Sequence, residues 1–319
     1  MQQIGKSNHN EGTTRSFRIN SAARIGYVTL NISDIQRSLE FYQSILGFRK
    51  LGEPSTNRIL LSSDGMSSSS SPPPYLLELV QVDRAESNSV TPRRAGLYHF
   101  AVLIPERKNL ADVLIYLSNK RDHVHFGLAD HLVSESIYIR DPDFIGIEIY
   151  SDRPQSVWKW NGKNNNNNNN SQLQMATLPL NTDDLLKEST DKGWTGMPTG
   201  TVIGHVHLHV SNLSRAMKFY RNILGLNLTT TYPGANFFAA GRYHHHIATN
   251  TWLGTNILPA SPEGIGLNHF SIELPNKEEF DRTLTQLQQQ NIAERNSELS
   301  SKTIPIQDPN GIRIQVYHI

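Results

Sequence analysis

Apolar and polar positions alternate at the start of four segments of the chain and then give way to a helical spacing. The clearest alternation is His205-Val206-His207-Leu208-His209-Val210, the period-2 pattern of a strand. A helix is predicted to follow each such strand. In the first segment Ser33 or Asp34 suits the N-cap, and Ile35, Leu39, Tyr42 and Leu46 space out an apolar face that stops at Gly47. In the third segment Asn212, Leu213, Met217, Tyr220, Leu224 and Gly225 repeat the device. Short strands at 75–82, 136–140, 236–240 and 313–317 then close the segments. Asp-Pro-Asp and Asp-Pro-Asn-Gly supply turns before the last strand of the second and fourth.

The segments are repeats of one another. Residues 25–51, IGYVTLNISDIQRSLEFYQSILGFRKL, match 203–228, IGHVHLHVSNLSRAMKFYRNILGLNL, at most positions. Residues 96–117, GLYHFAVLIPERKNLADVLIYL, match 266–287, GLNHFSIELPNKEEFDRTLTQL, and each of these ends in a related phrase, RDPDFIGIEIY at 140–150 and QDPNGIRIQVY at 307–317. The chain is a duplication of a pair of modules. A Ser/Pro run at 67–74 reads as a solvated insert. The polyasparagine tract at 164–170 lacks the apolar surface needed to fold. The expected organisation is a disordered N-terminus over 1–22, an N-terminal domain over 23–155, a linker over 156–200 and a C-terminal domain over 201–319. Trp158, Trp160, Trp194, Leu178, Leu180, Leu185 and Leu186 predict that the linker packs against something.

Composition narrows the chemistry. Lys+Arg number 30 against 29 for Asp+Glu, which gives no electrostatic footprint for nucleic acid or an acidic membrane and points to a small substrate. There is no cysteine, so disulfides, a catalytic thiol and thiolate metal sites are excluded, and any metal must be held by His, carboxylate, amide or water. No apolar run approaches the ~20 residues of a membrane helix. The first twenty residues lack the apolar stretch of a secretory signal, so a soluble cytoplasmic protein is expected.

A strand carrying His, a helix ending FYxxxLGF or FYxxxLGL, and strands ending after a DP turn resemble the βαβββ unit of the vicinal oxygen chelate superfamily. That superfamily includes glyoxalases, bleomycin resistance proteins and extradiol dioxygenases. Phe41-Tyr42 with Leu46-Gly47-Phe48, and Phe219-Tyr220 with Leu224-Gly225-Leu226, carry the match. The phrases GLYHFAVLIPERKNL, DHLVSESIYIRDPD, GIEIYSDRP and AAGRYHHHIATNTW further resemble two-domain catechol-2,3-dioxygenases. The resemblance implies an α+β fold of four βαβββ modules forming two tandem domains, with a cup in each half. It implies Fe(II) as the metal, with Mn2+, Zn2+ or Ni2+ as alternatives, a small aromatic diol and O2 as substrates, and neither nucleic acid nor membrane as partner. A homo-oligomer is compatible with it. A 2-His-1-carboxylate set would leave open positions for a bidentate catecholate and O2.

Carried over by motif position, the metal ligands fall on His205, His269 and Gln315. The third position departs from the family, which has Glu there, and an amide is a neutral, weaker ligand. His207 and His209 share a strand face with His205. Alternation along a predicted strand sets His245 opposite to His244 and His246, and the resemblance assigns His245 the acid–base role, with His246 the alternate in a slipped register. In the N-terminal half His99, Tyr138 and Glu148 fill family positions while Tyr27 replaces a histidine. His131 and Glu135 are further polar candidates. Each half thus holds part of a site, and the C-terminal cup is expected to be the active one. The leading expectation is an extradiol dioxygenase. The alternatives are a glyoxalase-like lyase or isomerase with another divalent ion, and a metal-free small-molecule-binding protein.

Overall fold

The computed structural model describes residues 17–64, 75–82, 93–120, 124–162, 171–190, 192–261, 263–293 and 302–319. The insert at 67–74 and the polyasparagine tract lie outside them. Module 1 comprises β1 (Arg24–Ile32), α1 (Ile35–Glu40), β2 (Arg49–Ser55), β3 (Arg58–Ser62) and β4 (Leu77–Gln81). Module 2 comprises β5 (Gly96–Leu103), α2 (Arg107–Ser118), β6 (Gly127–Asp130), β7 (Ser134–Arg140) and β8 (Gly146–Asp152). The connector contains a short ladder of β9 (Trp160–Asn161) with β10 (Gln172–Leu173), and α3 (Thr182–Leu186). Module 3 comprises β11 (Val202–His209), α4 (Leu213–Met217), β12 (Asn227–Tyr232), β13 (Ala235–Ala239) and β14 (Ile247–Asn250). In module 4 the described elements are β15 (Gly266–Leu274), α5 (Lys277–Gln289), β16 (Thr303–Gln307) and β17 (Arg313–His318).

The caps behave as the sequence predicts. The Asp34 and Asn212 side chains accept from the backbone N–H groups of Arg37 and Arg215, satisfying donors that the first turn leaves orphaned. Both helices then widen into a π turn over the FY motif, at Phe41–Ile45 and Lys218–Ile223, which the spacing did not predict. Gly47 and Gly225 end these segments at φ +76° and +81°, the left-handed region a glycine enters without penalty.

The sheets correct one expectation. A cup does not close within each half. Strand order β12-β13-β14-β11-β5-β8-β7-β6 joins modules 3 and 2 in one eight-stranded sheet, and β16-β17-β15-β1-β4-β3-β2 joins modules 4 and 1 in a seven-stranded one. In each sheet the opening strands of two modules pair antiparallel, β11 with β5 and β1 with β15, while each opening strand pairs parallel with its own module's last strand. Contacts between a helix and a turn run the other way. Tyr42 of module 1 donates its hydroxyl to Asp141 Oδ2 of module 2 at 3.0 Å, and Tyr220 of module 3 donates to Asp308 Oδ2 of module 4 at 3.1 Å. The FY and DP motifs are therefore the two ends of one buried tie, and one apolar core runs through all four modules.

The connector packs in part, with Trp158, Leu180 and Leu185 buried and Leu178 and Leu186 exposed. The end of the N-terminal segment is not free: Ile19 is buried and donates its N–H to Gly225 O. Among the described residues no helix is long and apolar enough to cross a membrane.

Candidate metal centre

Pairing modules 2 and 3 brings together ligands that the sequence splits between halves. His99 on β5, Glu148 on β8 and His205 on β11 are all buried. Each offers one donor atom, and the three donors lie within 4.8 Å of one another; among the described residues theirs is the one cluster of metal-ligand type. His205 and Glu148 stand on either side of β5, and the residue between them in register is Ala101. Two strand spacings separate their backbones by about 10 Å. The small Ala101 lets the side chains meet above it, with His205 Nε2 at 3.1 Å from Glu148 Oε2. His99, two residues along the same face, brings its Nε2 to 3.0 Å from that oxygen. Gly146 beside it permits this placement, since a Cβ there would lie 3.0 Å from His99 Cβ and 2.3 Å from Tyr98 O.

The donor set fits a divalent ion. Metal–ligand bonds of about 2.1 Å at right angles put neighbouring donors about 3 Å apart, which the two N···O separations match. His99 Nε2 is buried and, despite its proximity to Glu148, has no hydrogen-bond partner, and His205 Nδ1 is likewise orphaned. A bound ion would satisfy the first of these. The other carboxylate oxygen, Glu148 Oε1, accepts from Ser136 Oγ at 2.6 Å, which fixes the carboxylate's orientation. Burial opposes ionisation of Glu148, but the adjoining His205 and His99 rings outweigh it and hold the carboxyl well below its usual range. Burial pushes His205 down to about 4, so its imidazole is neutral and able to ligate at neutral pH.

Around this group stand acid–base candidates. The His245 ring lies 4.1 Å from the His205 ring. It is not on a strand as expected: the His244–His246 triplet precedes β14, so strict alternation does not apply, and His244 and His245 share a 2.7 Å Nδ1···Nδ1 hydrogen bond. His246 turns elsewhere, its Nδ1 accepting from Ala240 N. Tyr138 packs 5.5 Å from His99, centroid to centroid, and its hydroxyl is 2.7 Å from His131 Nε2. His131 Nδ1 faces the Ala176 carbonyl at 2.7 Å and so carries the ring proton, which makes Nε2 the acceptor and Tyr138 the donor. Glu135 points away into an ion pair with Arg107 and Arg153. The His207 ring lies 5.1 Å from that of His99, but its Nε2 accepts from Asn250 Nδ2 at 2.9 Å, and His209 Nδ1 bonds Asn250 Oδ1.

The expected trio His205, His269 and Gln315 is not assembled. His269 on β15 and Gln315 on β17 belong to the seven-stranded sheet, where Tyr27 occupies the place of His205. There the row reads Tyr27, Ser271, Gln315 in place of His205, Ala101, Glu148. His269 Nε2 lies 3.3 Å from Thr29 Oγ1, which donates to Glu78. Sequence reasoning found His99, Tyr138 and Glu148 but assigned them to a separate, degenerate cup.

Comparison with known proteins agrees with this architecture. Residues 24–149 and 202–316 match the Glyoxalase/Bleomycin resistance protein/Dioxygenase superfamily, and the chain belongs to it. It is 38% identical over 268 residues to the catechol-2,3-dioxygenase of Bacillus subtilis (strain 168), covering 82% of this chain and 87% of that one. In fold it resembles the crystal structure of a dioxygenase candidate from Bacillus subtilis subsp. subtilis str. 168, at TM-score 0.59 and 12% identity over 95% of this chain and 86% of that one. It also resembles glyoxalase I from Zea mays, at TM-score 0.50 and 13% identity over 93% and 92%.

Proposed function

We propose that this chain is an extradiol ring-cleaving dioxygenase acting on a catechol-like aromatic with O2, with Fe(II) held by His99, His205 and Glu148. The observation that carries the reading is the convergence of two imidazoles on one buried carboxylate across the module 2–module 3 sheet. The 38% identity to a catechol-2,3-dioxygenase supports the substrate class. When bound, the metal would supply open coordination positions at which a diolate and O2 meet and exchange electron density.

The chain's own residues supply the rest. His245, beside His205, takes the proton of a substrate hydroxyl and returns it later, work for which a neutral imidazole is suited. Tyr138, anchored through His131, places a phenol hydroxyl next to His99. Phe237, packed on both His207 and His245, and Trp252, packed on His207, give apolar walls that suit an aromatic ring and limit water. A glyoxalase-like enzyme would tolerate Gln315 as a ligand, but Gln315 stands in the other sheet.

Anaerobic loading with Fe(II), followed by catechol and O2, tests the reading. Oxygen uptake with a yellow, near-visible-absorbing semialdehyde product is expected. Stoichiometric metal without oxygen uptake on any of a panel of catechols would overturn it.

A further inference from the structure

The mechanism needs His245 to present a bare ring nitrogen, and the structure contains a device that can set which nitrogen that is. Asp152 is the last residue of β8, four residues beyond Glu148, and its Oδ1 lies 3.0 Å from His244 Nε2. His244 is fully buried, with its ring 4.1 Å from Tyr243 and 5.5 Å from the connector's Trp158, centroid to centroid. Its other nitrogen meets His245 Nδ1 at 2.7 Å. That bond takes up His245 Nδ1 and not its Nε2.

We infer that Asp152 is a positioning residue that acts through His244 to hold His245 in the Nδ1–H tautomer, leaving His245 Nε2 as the proton acceptor of the site. A carboxylate only accepts, so His244 Nε2 carries the proton that faces Asp152. A neutral imidazole has one such proton, so His244 Nδ1 is bare. Two ring nitrogens at 2.7 Å need one proton between them, and it therefore belongs to His245 Nδ1. His245 Nε2 is left with its lone pair. The inference on catalysis rests on the proposed ring cleavage, whereas the tautomer assignment does not. In the reaction the substrate O–H bond breaks, the proton forms a bond to His245 Nε2, and the oxygen keeps the electron pair; the same proton is later given back. The arrangement also gives the connector a role, since Trp158 walls the relay from solvent.

The test is a two-bond 1H–15N correlation spectrum of the full chain with 15N-labelled histidine, metal-free and loaded with diamagnetic Zn(II), with ring signals assigned from His244→Gln and His245→Gln. The wild-type protein is expected to show His244 as Nε2–H and His245 as Nδ1–H. In Asp152→Leu the acceptor that faces His244 Nε2 is lost, and the pair is expected to lose its preference for these tautomers. Catechol turnover of the Fe(II) protein should then fall by roughly tenfold to a hundredfold, as for other residues that orient a site from behind, with bound metal unchanged. Wild-type spectra showing His245 as Nε2–H, or His244 protonated on both nitrogens, overturn the inference without any substitution. So does an Asp152→Leu protein whose tautomers and turnover match the wild type. If the wild-type tautomers are as stated but no catechol is cleaved, the tautomer assignment stands and the dioxygenase reading fails.

Discussion

His99 and His205 come from opposite halves of the chain, yet their rings lie 5.6 Å apart and their Nε2 atoms address one oxygen of Glu148. The two halves of the duplication therefore share one cluster of ligand-type side chains. Module 2 contributes one imidazole and the carboxylate, module 3 contributes the second imidazole, and the corresponding positions of modules 4 and 1 read His269, Gln315 and Tyr27. One sheet gathers a His–Glu–His group that could hold a metal ion, while the other has Gln315 and Tyr27 at two of the three corresponding positions.

Ala101 is the floor over which His205 and Glu148 meet. Ala101→Leu inserts a branched side chain between them in a fully buried row. Metal affinity is expected to fall at least tenfold, with a stability loss of about 1–3 kcal/mol from overpacking. Metal titration with parallel thermal unfolding checks this; native affinity would mean that the row does not set the spacing.

Ser136 holds the carboxylate by its outer oxygen. Ser136→Ala removes that donor and leaves the chain otherwise unchanged in volume. Metal affinity should drop by roughly tenfold to a hundredfold, the usual cost of losing an outer hydrogen bond to a ligand. Competition with a chromophoric chelator reads the change directly.

Tyr42→Phe cuts the tie between modules 1 and 2. Burial pushes Asp141 up to about 6, and the Tyr42 hydroxyl opposes that shift by stabilising the ionised carboxylate. Its loss matters most when Asp141 is ionised, so the destabilisation is largest above the folded-state value and shrinks as pH falls through about 6. Urea midpoints should show a loss of about 1.5–3 kcal/mol at pH 8 and a smaller one at pH 5. Equal losses at both would place the tie's energy elsewhere.

Much of this was legible before the structure. Alternation, caps and turns located the modules, and the strand starting at Val202 carries its histidines where expected. What alternation cannot encode is which modules share a sheet, because the pattern of a strand is the same whichever neighbour it pairs with. The split ligand set was the available clue: module 2 lacks only a second histidine, Tyr27 of module 1 cannot supply it, and His205 of module 3 can. The histidine triplet misled for a local reason. Its residues follow a turn at Gly241 and precede β14, so consecutive rings meet there instead of facing opposite sides.

Bound metal in four single-site variants tests the central claim most directly. After loading with Fe(II) and removal of excess, elemental analysis should find His99→Ala and Glu148→Ala depleted, and His269→Ala and Gln315→Ala at the wild-type level. Loss of metal from His269→Ala or Gln315→Ala, with His99→Ala and Glu148→Ala still loaded, would contradict a centre built across the halves.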